Sequence, residues 1–162
     1  MELFLNITIE KSYKIFTLKN ETGIITGLLG RNGTGKSSLL KIIFGELKTR
    51  DSSIRINNST LTYSNRSPKD ILYLPQMNFI PLKLSIKQVF KHFNADFLDF
   101  ITLFDSFEKY YNSKIKSLSG GEKRIIEIYI ILTSKTKFCL LDEPFSQIMP
   151  LHVEFHNVID MS

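Results

Sequence analysis

"GLLGRNGTGKSSLL", residues 27–40, decides how this chain is read. Gly30, Arg31, Asn32, Gly33, Thr34, Gly35, Lys36 and Ser37 fit G-x-x-x-x-G-K-[ST] at every fixed position, and Ser38 follows. Before the motif stands an apolar run, "IITGLL" over residues 24–29, which suits a strand buried on both faces. After it comes "KSSLLKIIFGEL", residues 36–47, with Leu39, Leu40, Ile42, Ile43 and Leu47 at helical spacing. Strand, loop and helix in that order are the context that gives the motif its meaning. Glycines let the backbone wrap its N–H groups around the oxygens of a triphosphate without Cβ clashes. The helix starting near Gly35 adds its unpaired N–H groups and positive dipole end. Lys36 is expected to reach the β and γ phosphates, and the Ser37 hydroxyl to complete a Mg²⁺ shell.

Working outward, "KFCLLDEP" (residues 137–144) reads as a buried strand ending in two carboxylates. Asp142 is placed to hold Mg²⁺, directly or through water. Glu143 points elsewhere because successive side chains diverge at a strand end, and it is placed to orient or deprotonate an attacking water. Upstream, "LSGGE" (residues 118–122) opens a nearly all-apolar helix. Ser119, Gly120 and Gly121 stand at its start, a pattern that serves either as a plain cap or as an anion site.

The remaining chain fills in around these segments. Residues 3–10 and 13–18 read as short strands, 52–64 as a small hairpin, and 70–76 as a strand stopped by Pro75. From 85 to 111 phenylalanines recur three and four apart, which marks a helical insert whose aromatic stripe faces a core or a partner. Interleaved Lys83, Lys87 and Lys91 raise base stacking as a weaker option. A turn and one helix are expected over 145–162. Strands alternating with helices indicate an α/β fold with a largely parallel core sheet, an N-terminal antiparallel β portion and a small helical insert.

Composition agrees with one globular unit. Of 162 residues, 43% are hydrophobic and 23% charged. A net charge of +5 suits acidic ligands or simply a solvated surface. Cys139 is the lone cysteine, which rules out a disulfide framework or zinc cluster within the chain and fits a reducing, cytoplasmic setting. No apolar stretch approaches the roughly 18 to 20 residues of a membrane span, and the N-terminus lacks the order of a signal peptide.

Taken together, "GRNGTGKSS", "LSGGE" and "LLDEP" resemble the nucleotide-binding domain of an ABC-type ATPase over about residues 13 to 150. The signature differs from the family's usual LSGGQ by Glu122. Gln76 in "YLPQMNF" resembles the family's Q-loop glutamine, which joins the metal and water site. The resemblance implies one ATP-binding domain over 1–162: a β portion with the phosphate loop (1–79), a helical insert (80–117), then signature helix, magnesium strand and tail helix (118–162). It implies ATP and Mg²⁺ as ligands, with Ser37, Gln76 and Asp142 at the metal and Glu143 as catalytic base. It implies a second ATP-binding domain, head to tail, so that Ser119, Gly120, Gly121 and Glu122 close on the partner's nucleotide. A membrane-spanning transporter subunit is the other implied partner, met through the surface near Gln76 and the insert, where Phe79, Ile80 and Leu82 offer exposed apolar anchors. The chain is then cytoplasmic and peripheral at the inner face of the membrane.

Three departures from the family pattern stand out. Phe4 is the aromatic candidate for stacking on adenine, since Tyr13 lies too close to the loop. Met149 takes the place of a cross-dimer aspartate, in a run where Gln147 and Ile148 follow "DEPFS". Only 20 residues follow Asp142, and His152 and His156 come too early for the family's late histidine, so a chain cut short at its C-terminus is expected. These departures leave two alternatives open: a cassette that binds without hydrolysing, and an ATPase of the same superfamily acting on nucleic acid or ribosomes. The second rests on the charge alone, and nucleic acid is not the expected partner.

Overall fold

The computed structural model describes residues 2–9, 14–21, 23–49, 52–62 and 65–148. Tyr13, Met149, His152, His156 and the expected tail helix lie outside the described residues. The chain divides into two compact units, residues 1–73 with 136–140, and residues 74–135 with 141–162.

In the first unit, β1 (Glu2–Ile9), β2 (Lys14–Glu21), β3 (Ser52–Ile56) and β4 (Ser59–Thr60) form an antiparallel sheet in the order β2-β1-β3-β4. β1 is central, pairing Leu5 with Leu18 on one side and Leu3 with Ile56 on the other. The hairpin expected over 52–64 is the β3–β4 pair. Asn57 and Asn58 make its two-residue connection, at φ 47° and 66°. Both positive values match the turn whose twist suits a tight hairpin, and asparagine tolerates them better than most residues.

Helix α1 (Lys36–Phe44) buries Leu39, Ile42 and Ile43, the i, i+3, i+4 face of the sequence pattern. They share a core with Leu3, Ile54 and Ile56 of the sheet and with Ile71, Tyr73, Phe138 and Leu140. The helix stops before the sequence pattern does. Gly45 takes φ 98° and turns its N–H back to the carbonyls of Ile42 and Lys41, a left-handed C-terminal cap that leaves Leu47 exposed outside the helix.

β5 (Ile71–Leu74) and β6 (Phe138–Leu141) form a two-stranded sheet. Lys137 N–H donates to Lys69 O and Phe138 N–H to Asp70 O, so the pairing advances in the same sense along both strands, and the pair is parallel. Residues 24–29 correct the sequence reading. They form no strand; Ile25 is 77% and Leu29 95% exposed, and Leu28 alone of the run packs on the core. An all-apolar strand needs hydrogen-bonded neighbours and cover on both faces, and among the described residues β5 and β6 pair only with each other. The α/β character, the antiparallel N-terminal portion and the helical insert stand as expected.

The second unit is built around aromatic packing. α2 (Ile86–Phe93) starts at Ser85, whose hydroxyl accepts from Gln88 N–H while the Gln88 side chain accepts from Ser85 N–H. α3 (Phe97–Leu103) starts at Asp96, whose carboxylate accepts from the N–H groups of Leu98 and Asp99. Two short 3₁₀ turns, Asp105–Tyr110 and Ile115–Ser117, lead to α4 (Gly120–Leu132). Phe90, Phe100, Phe107 and Tyr129 are buried, and the Phe100 ring lies 4.9 to 5.1 Å from those of Phe90, Phe107 and Tyr129. The phenylalanine stripe is therefore core, which removes it as a base-stacking surface. Burial, with Asp99 and Asp96 nearby, pushes the Tyr129 phenol above its ordinary value, and its hydroxyl donates to Asp96 O at 3.2 Å. Among the described residues no helix is long and apolar enough to cross a membrane.

Candidate nucleotide and hydrolysis site

The phosphate loop sits in the first unit on the N-terminus of α1. Gly33 and Gly35 take φ 80° and 92°, values open to glycine at little cost, and no side chain caps the helix at Gly35. Thr34 donates from both N–H and Oγ1 to Arg31 O, at 3.3 and 2.8 Å, which closes the loop into a turn. A Cβ on Gly30 would stand 2.9 Å from Thr34 Oγ1, so a larger residue there collides with the turn. The Lys36 ammonium curls back over the loop and donates to Gly30 O at 2.7 Å and Arg31 O at 3.0 Å. A cation held over backbone N–H groups at a helix start is an arrangement that accepts a phosphate chain. Arg31, Asn32, Gly33 and Thr34 are exposed, while Lys36 and Ser37 are half-buried.

The second unit carries the carboxylates. Asp142 is 4% exposed, and its N–H donates to Leu74 O at 3.0 Å, the last bond of the parallel pairing. Glu143 breaks that pattern at φ 45°, a left-handed value rare for a residue with a side chain. Its carboxylate turns out to solvent and accepts from Gln76 Nε2 at 2.7 Å. Gln147 in turn donates from Nε2 to Gln76 O at 3.2 Å, so the first residue after "DEPFS" supplies a contact here. Strain at a conformation of this kind persists where surrounding bonds enforce it.

Those bonds come from α4, through two residues that the motif reading did not single out. Arg124 and Glu127 are both 0% exposed and lie 3.4 Å apart. The guanidinium donates to Pro144 O (2.9 Å), Pro75 O (2.6 Å), Asp142 O (3.1 Å) and Glu143 O (3.3 Å). Glu127 accepts from Asn78 Nδ2 (2.9 Å), Phe79 N–H (2.7 Å) and Ile80 N–H (3.2 Å). The available signal was a pair of opposite charges three apart inside "RIIEIYIIL", since such residues are almost never fully buried unless paired.

At the start of α4, Ser119 is exposed and its hydroxyl accepts from Glu122 N–H at 3.2 Å, while Glu122 Oε2 accepts from Ser119 N–H at 2.7 Å. Glu122 thus closes a capping box. Gly121 has a specific reason to lack a side chain, because a Cβ would stand 3.2 Å from Gln147 O. The expected docking anchors are redistributed. Ile80 is buried and Phe79 is half-buried against Phe93, so Met77 and Leu82 are the exposed apolar residues of that loop. Their positions follow from Glu127, which pulls the Phe79 and Ile80 amides inward.

The residues assigned to Mg²⁺ are all oxygen donors: the Ser37 hydroxyl, the Gln76 amide and the Asp142 carboxylate. No cluster of three or more His, Cys, Asp or Glu with metal-holding geometry occurs among the described residues. Oxygen donors of these kinds, Ser37 in the first unit and Gln76 and Asp142 in the second, are the chemistry that Mg²⁺ takes, in place of the sulfur and nitrogen donors typical of zinc.

Comparison with known proteins bears on all of this. The family model described as ABC transporter matches residues 13–146. The chain is similar to the lipopolysaccharide export system ATP-binding protein LptB of Escherichia coli K12, 34% identical over 151 residues, covering 85% of this chain and 63% of that protein. It is also similar to the energy-coupling factor transporter ATP-binding protein EcfA of Methanosphaera stadtmanae, 30% identical over 159 residues, covering 86% and 56% respectively. This chain therefore spans less than two thirds of the length of these relatives. Among solved structures, an ATP-binding subunit of an ABC transporter superposes with a TM-score of 0.73 at 20% identity, over 94% of this chain and 70% of that one, a likeness of fold.

Proposed function

The chain belongs to the ABC transporter family, and from that premise we propose that it is an ATP-binding domain that holds Mg-ATP and hydrolyses it to drive transport. The observation that carries the reading is the phosphate loop, with the Lys36 ammonium held 2.7 Å from Gly30 O over the start of α1. In this reading one domain holds the triphosphate with the backbone of residues 30–38, and Lys36 exchanges its carbonyl partners for β and γ phosphate oxygens. Ser37, Asp142 and Gln76 hold Mg²⁺, which supplies charge neutralisation on the phosphates when bound. Glu143 takes the proton of the water that attacks the γ phosphorus, while the bond from that phosphorus to the β–γ bridging oxygen breaks and ADP leaves.

A second ATP-binding domain, identical or related, completes the site head to tail, with Ser119, Gly120, Gly121 and Glu122 facing the partner's nucleotide. Closure and opening of that dimer pass to a membrane-spanning subunit, and the chain then works in the cytoplasm at the inner face of the membrane. Support for these partners comes from the family and from the named systems of its relatives. A cassette that binds without turnover keeps one observation in its favour, the Gln76 amide that occupies the Glu143 carboxylate. The nucleic-acid or ribosome reading rests on the net charge of +5 alone and is not adopted.

Binding of Mg-ATP by wild type and Lys36→Ala, measured by calorimetry, tests the proposal. Loss of a charge-assisted contact to phosphate should weaken affinity on the order of 100-fold. Equal affinities would overturn the assignment of the loop.

A further inference from the structure

We propose that Arg124 and Glu127 are positioning residues that together set the contact between Gln76 and Glu143, an inference that rests on the reading of Glu143 as the base. A guanidinium offers five N–H donors in a planar fork. Here that fork serves backbone carbonyls of two separate segments, Pro75 on one and Asp142, Glu143 and Pro144 on the other. Those segments follow the ends of β5 and β6, where Asp142 N–H makes the last ladder bond and Glu143 turns to φ 45°. Carbonyls that leave a ladder inside a protein need new donors; Arg124 provides them, joined at Glu143 O by the N–H (3.2 Å) and Oγ (3.0 Å) of Ser146.

Glu127 does the converse one turn along. Its carboxylate collects the N–H groups of Phe79 and Ile80 and the amide of Asn78, all on the loop that begins with Gln76. One residue gives hydrogens and the other takes them, and a guanidinium with a carboxylate on one helix face does both while each charge offsets the other. The result of the arrangement is a fixed meeting of Gln76 Nε2 and Glu143 Oε2 at 2.7 Å. Lysine at 124 would keep the charge, but its single nitrogen cannot reach Pro75, Asp142 and Pro144 together.

The test uses Arg124→Lys and Glu127→Gln in the full chain, with ATP turnover and amide hydrogen exchange read on the same preparations. Positioning predicts kcat lower by about 10-fold or more with KM for ATP raised by less than kcat falls, since the phosphate loop that holds the triphosphate is not touched. It also predicts exchange faster by about 10-fold at Phe79, Ile80 and Ser146 in nucleotide-free protein, with Ile128 and Ile130 of α4 changed by less than about 3-fold. A folded Arg124→Lys with wild-type kcat, or exchange that rises uniformly through the unit, overturns the proposal. If wild type itself turns over no ATP, the assignment of Glu143 fails, and the exchange pattern alone then decides whether Arg124 and Glu127 position the loops. If Arg124→Lys does not fold, Glu127→Gln is judged by the same two criteria.

Discussion

The phosphate loop and the pair of loops held by α4 solve opposite problems. The first is exposed, glycine-built and closed by short local bonds, and Lys36 reaches back to Gly30 and Arg31. The second is organised from a buried ion pair whose partners lie far away in sequence, with Arg124 bonding Pro75 and Glu127 bonding Asn78. A site that must open to a ligand keeps its donors uncommitted to the core. A site that must hold a carboxylate at one angle commits a buried cation to doing so. The two regions should therefore fail differently when altered.

The largest stability effect is expected at Arg124→Leu, which strands Glu127 as an uncompensated buried charge and should cost about 3 to 5 kcal/mol of unfolding free energy. Urea denaturation measures it, and a loss below about 1 kcal/mol would erase the contrast between the regions. Lys36→Ala should sit at the other end on the same assay, with a loss of about 1 kcal/mol or less, because only exposed backbone acceptors lose a donor and water replaces it. A loss as large as that at Arg124 would show the loop to be structural. The smallest effect concerns Tyr129. Its folded pKa is raised above the unfolded 10.0, so its contribution is complete below pH 10 and is lost as pH rises through the folded value. Stability of Tyr129→Phe measured against pH should lack that alkaline decline, and an unchanged decline would assign it to other groups.

What the sequence disclosed follows the same division. The loop, the helix face of Leu39, Ile42 and Ile43, and the carboxylates after β6 were legible because each depends on residues close in the chain. The insert's phenylalanines were legible as a helical stripe, but whether they faced a core or a partner depended on Tyr129 of α4, which packs on Phe90 and Phe100. That residues 24–29 form no strand was not legible, since apolar content says nothing about whether a hydrogen-bonding neighbour is at hand. Ile80 misled as an exposed anchor for a related reason. Its backbone N–H is drawn in by Glu127, far along the chain. Arg124 and Glu127 themselves looked like ordinary charges until their burial gave them a task.

Turnover and binding of Mg-ATP by Glu143→Gln, set beside wild type at matched protein concentration, test the central claim most directly. The amide keeps the size of the side chain and its contact with Gln76 while removing the base. Turnover should fall by about 10²- to 10⁴-fold, with affinity for Mg-ATP within about 3-fold of wild type because the phosphate loop is untouched. Hydrolysis by the variant at the wild-type rate would contradict the account.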